Sequence, residues 1–81
     1  TNMKIGAIRK LLKIDVDVLR KAEEDLTEEK PLEIEVEGDD EGEKLTHLFG
    51  AIWIKDQVES GEMDEKSALR AFTQKVRNSI S

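Results

Sequence analysis

Seven consecutive uncharged residues, Leu48-Phe49-Gly50-Ala51-Ile52-Trp53-Ile54, restrict what this chain can become more than any other feature. Glu41 to Glu59 reads as a helix around them, and over those turns the helix has no polar side. A helix that is apolar all round must be covered on more than one face. The whole chain has 81 residues and no Cys, so it forms one domain with neither a disulfide nor a thiolate-bound zinc to staple it. The cover for residues 48–54 must therefore come from other packed helices, or from a second chain.

Three further segments carry helical spacing. Ile5, Ile8, Leu11 and Leu12 share one face of a helix expected over residues 3–13. Val16, Leu19, Ala22 and Leu26 form a stripe on a helix expected over 16–29, with Asp15 or Asp17 as N-cap and Pro31 beyond its end. Leu69, Phe72, Val76 and Ile80, widened by Ala68 and Ala71, mark a helix over 64–80. Asp64 is its expected N-cap, with Met63 as a hydrophobic staple. Asp40 with Glu43 three residues later has the form of a capping box for the helix over 41–59, and Gly61 suits its far end. The short link between the last two helices requires an antiparallel hairpin. The expected fold is all-α, a small bundle of about four helices. Gly50 costs its helix about 1 kcal/mol relative to alanine, which points to close approach of another helix at Gly50 and Ala51.

One segment breaks the helical pattern. Leu32, Ile34 and Val36 alternate with Glu33, Glu35 and Glu37, the period-two signature of extended chain with one face inward. It belongs to an acidic middle. Residues 1–22 carry a net +4, residues 23–43 a net −11, and residues 44–81 a net +1. The plain expectation is a solvated surface that also meets Arg9, Lys10, Lys13, Arg20 and Lys21 across the fold. The alternative is a contact strip of Glu33, Glu35, Glu37, Asp39, Asp40 and Glu41 that receives a basic partner or mimics nucleic acid. Binding nucleic acid itself is not expected from a chain of net −6 without a basic patch.

The motifs of common chemistry are missing. His47 has Lys44, not an acid, three residues before it, so the Glu-x-x-His element of di-iron bundles is absent. A calcium loop fails in both registers, since glycine at position 6 places Leu48 or Lys44 where a Glu must stand. No nucleophile elbow, phosphate-cradling glycine loop or H-E-x-x-H occurs. These readings predict a non-enzymatic protein with no cofactor and no metal. No apolar run approaches the roughly 20 residues of a membrane span, and no signal peptide opens the chain, so a cytoplasmic setting without membrane attachment is expected.

Met3 and Lys4 at the start, the small pair Gly50-Ala51 before an aliphatic-aromatic run, and Ala68, Leu69, Phe72 and Val76 near the end form a recognisable set. In these positions the chain resembles a family of short uncharacterised bacterial proteins, mainly from Bacteroidetes. The resemblance covers most of the chain and rests on core positions. It speaks to fold and implies no activity.

What remains is surplus apolar surface. Phe49, Trp53 and Ile54 fan over about 140° of a helix whose other side, Leu48 and Ile52, is also apolar, too much for one small core to cover. A homodimer is the expected outcome, with a seam at Phe49, Trp53 and Ile54 joined by Leu32, Ile34 and Val36.

Overall fold

The computed structural model describes residues 3–80 and the side chains of residues 3–78. Ile80, the last residue of the expected apolar stripe, lies outside the described side chains. Four helices follow one another: α1 (Ile5–Leu11), α2 (Val16–Thr27), α3 (Glu41–Glu59) and α4 (Glu65–Ile80). The all-α bundle is thus observed. α3 is its axis. The other three helices each pack on α3 and hardly on one another. Ile8, Leu19, Leu48 and Ile54 are the largest apolar side chains wholly removed from water, each contributing about 2 kcal/mol of transfer free energy.

Three aspartates start the helices as their spacing predicts. Asp15 Oδ2 accepts the Asp17 N–H at 3.1 Å, Asp40 Oδ1 the Glu43 N–H at 2.7 Å, and Asp64 Oδ1 the Ser67 N–H at 2.7 Å. Each bond satisfies a donor that the first helical turn leaves open. The capping box on α3 is only half made. Instead of reaching back to the Asp40 N–H, the Glu43 carboxylate is buried, with Oε1 3.8 Å from the Lys4 ammonium.

Two helices are shorter than their periodicity predicts. α1 spans Ile5–Leu11 rather than 3–13. At its start, Lys4 is extended because its N–H is bound to His47 Nε2 at 2.9 Å. At its end, Lys13 and Ile14 make tight i→i−3 bonds, and the Lys55 ammonium takes the Leu12 carbonyl at 2.9 Å. α2 stops at Thr27 rather than 29. Its terminus is a Schellman turn, in which Lys30 N–H reaches Asp25 C=O at 2.7 Å and Glu29 N–H reaches Leu26 C=O at 3.1 Å. That turn requires a left-handed residue, and Glu29 adopts it at φ 59°. α3 ends in the same way, but there the left-handed residue is Gly61 at φ 79°.

Residues 32–37 form no strand. The segment is extended and bent, and its alternation still operates: Val36 is buried, Leu32 and Ile34 are half-buried against the core, and Glu33, Glu35 and Glu37 are exposed. Period two here marks an inward face without a sheet. One of its carbonyls, that of Glu37, accepts from His47 Nδ1 at 2.8 Å.

Candidate functional site

The residues of the expected seam divide sharply. Ile54 is wholly buried and Val36 nearly so, both within the chain's own core, so neither can face a second chain. One small core covers more of α3 than its circumference suggested, because α1, α2 and α4 approach it from separate sides. Leu32 and Ile34 are half-buried against that core. Phe49 and Trp53 are different. They stand one turn apart on the same face of α3, with Phe49 48% exposed and Trp53 half-buried.

The hairpin of α3 and α4 completes this face. The Phe72 ring lies over Gly50, where a side-chain carbon would come within 2.5 Å of the ring. Gly50 is therefore the close-approach point that its mid-helix position predicts. The Trp53 and Phe72 ring centres are 6.4 Å apart at an interplanar angle of 36°, and the Lys75 ammonium sits 4.4 Å from the Trp53 ring centre. Both contacts are of the favourable aromatic kind. Phe49, Ile52, Trp53, Asp56, Phe72 and Lys75 enclose an open hollow of about 330 Å³. Arg20 of α2 holds both Asp56 oxygens at 2.9 Å, fixing the acid at its rim. Sequence reading missed Asp56, Phe72 and Lys75 as parts of this face. The signal for Phe72 was available, since an antiparallel hairpin must set some α4 residue on Gly50.

The acidic strip is partly engaged within the chain. Glu37 pairs with Lys10 at 3.1 Å, Asp39 with Lys4 at 3.5 Å, and Asp40 caps α3. Glu33, Glu35 and Glu41 are exposed. Of the basic residues expected to face the strip, Lys10 does so. Arg20 instead meets Asp56, and Lys21 bonds Asp25 one turn along α2 at 3.3 Å while also feeling the charge of Glu33 in the strip. The Asp25 hydrogen bond, then its charge, then that of Glu33 raise the Lys21 pKa above its ordinary value. The exposed pairs Lys10–Glu37, Lys4–Asp39 and Arg20–Asp56 orient side chains and add little stability, whereas the Asp25 end of the Lys21 pair is buried.

His47 is a structural residue. It is wholly buried, and its Nε2 accepts from the Lys4 N–H while its Nδ1 faces the Glu37 carbonyl. Those partners admit one form, the neutral imidazole with its proton on Nδ1. Among the described residues, no group of three or more His, Cys, Asp or Glu side chains could hold a metal ion. Among the described residues no helix is long and apolar enough to cross a membrane.

The fold and its surfaces define a small all-α protein built on one buried helix, with an aromatic hollow on one hairpin and an acidic loop at the head of that helix. The chain belongs to the DUF6952 family, a family of unknown function whose pattern matches residues 3–81. No curated protein and no solved structure matches it.

Proposed function

We propose that this protein acts by association rather than catalysis, as a homodimer joined through the aromatic face of α3 and α4, in the cytoplasm of a bacterium. The observation that carries the reading is Phe49, a large aromatic side chain 48% exposed on a helix whose neighbouring positions Leu48, Gly50, Ala51 and Ile52 are buried. An exposed aromatic beside a hollow is the pattern of an interface anchor. The hollow's bordering charges are met within the chain, Asp56 by Arg20 and Lys75 on the Trp53 ring, so a twofold contact of this face with itself would bury mainly aromatic surface.

Light scattering over a concentration series tests this. A mass of two chains is expected, falling to one in Phe49→Asp with an unchanged helical circular dichroism spectrum. Trp53 emission should shift to the red as the native dimer is diluted. A single-chain mass at high concentration would end the proposal. A second reading, an acidic adaptor for a basic protein through residues 33–43, is supported by the exposure of Glu33, Glu35 and Glu41. It predicts partner binding that weakens steeply with salt.

A further inference from the structure

We propose that the groove between α1 and α4 is a binding site for a small amphiphilic anion: a carboxylate, sulfonate or phosphate carried on an aliphatic or aromatic body. The site goes beyond the dimer reading and uses a different face. α1 and α4 both pack on α3 and hardly on each other, which leaves an open groove of about 570 Å³ between them. That is the size range of small-molecule sites. Its apolar contributors are Leu12 from the end of α1 and Leu69 from α4, and its charged ones are Arg9, Lys13, Lys66 and Glu65.

The charge there is the opposite of the chain's. Three cations and one acid line the groove in a protein of net −6. Arg9 and Lys13 were the cations expected to face the acidic segment. Among the described residues neither they nor Lys66 form any of the observed ion pairs, and the Lys66 charge acts on Asp64 at the start of α4. Cations facing a concave apolar surface draw an anion toward it and hold it there more strongly than cations on a flat surface. The adjoining hollow, which shares Leu12 and Glu65 with the groove, carries the reverse arrangement. Asp15 and Glu59 stand on its border, and its one cation, Lys55, is bonded to the Leu12 carbonyl. An anionic head is repelled from that side and attracted to the α1–α4 side, so the ligand has one orientation available.

The probe is 8-anilinonaphthalene-1-sulfonate, an anion on an aromatic body, titrated at low salt by fluorescence and by amide chemical shifts. Saturable binding at one site is expected, with shifts centred on Leu12, Lys13, Lys66 and Leu69 and affinity falling as salt rises. The Arg9→Gln/Lys66→Gln variant should bind about tenfold more weakly, the worth of one charged hydrogen bond, with an unchanged melting curve. Lys13→Glu, in the turn after α1, provides an independent second variant with the same expected loss. Undiminished binding in both variants would overturn the proposal, as would shifts centred on Phe49, Trp53 and Phe72, or an absence of saturable binding. None of those results bears on the oligomeric state, which light scattering decides separately.

Discussion

Replacing Gly50 by alanine should destabilise this protein, although alanine is the better helix former by about 1 kcal/mol. The added carbon would lie 2.5, 2.8 and 2.9 Å from three atoms of the Phe72 ring. Ordinary carbon contacts need about 3.5–4.0 Å, so the ring must retreat by about 1 Å. The ring is rigid, and Trp53 with its Lys75 neighbour stands on the same face. Overpacking of this kind costs about 1–3 kcal/mol, which leaves a net loss of about 1 kcal/mol once the gain in helix propensity is counted. In a domain of this length that lowers the melting temperature by about 4–8 °C. The decisive assay is a double-mutant cycle read by urea unfolding. With Phe72→Ala as background the clash is gone, and Gly50→Ala should then stabilise by about 1 kcal/mol. The coupling between the two sites is therefore about 2 kcal/mol. Equal effects of Gly50→Ala in the two backgrounds would show that the ring does not rest on the glycine, and the argument for the aromatic face would lose its footing.

Other expectations follow from single residues. Glu29→Gly should stabilise by about 0.5–1 kcal/mol in thermal melts, because glycine adopts the left-handed turn at the end of α2 without the steric penalty that Glu29 carries. His47→Leu leaves the Lys4 N–H and the Glu37 carbonyl without their partner and should cost about 2–4 kcal/mol, with loss of amide protection at Lys4 as the local readout. The backbone and side chain of Ser67 both bond Asp64 and hold its pKa below the ordinary carboxylate value. A lowered pKa in the folded state means the unfolded state binds the proton more readily. The contribution of Asp64 is thus complete above its unfolded pKa and fades as pH falls below about 4. Asp64→Ala should lower the melting temperature at neutral pH and flatten its decline in acid.

How much of this was legible depended on how far apart in the chain the interacting groups lie. The Asp15, Asp40 and Asp64 caps were readable because each bonds a residue two or three positions away. The alternation at Leu32–Glu37 correctly gave the inward face of an extended segment. His47 was not readable as a clamp, since its partners lie 43 and 10 residues away and only the fold brings them together. The early end of α2 escaped notice because the left-handed residue is a glutamate, whereas the equivalent turn after α3 announced itself through Gly61. Ile54 was misplaced at a seam for a related reason. Sequence shows that α3 is apolar all round, but not which of its sides the other helices take. The aromatic hollow was half legible, with Phe49 and Trp53 evident and Phe72, Lys75 and Asp56 supplied by tertiary contact.

The arrangement of three helices around one has a consequence for how the molecule opens. Because α1, α2 and α4 lean on α3 and scarcely on each other, the structure resembles spokes on a hub. Losing one spoke uncovers one side of α3 and leaves the packing of the other two intact, whereas α3 cannot melt without releasing all three. Partial openings should therefore form a graded set, with slow amide exchange along α3 and faster, mutually independent exchange in α1 and α4. One spoke is tethered at a second point. Through His47, the start of α1 and the segment before α3 are held by the same imidazole, so detaching α1 also loosens the approach to the hub.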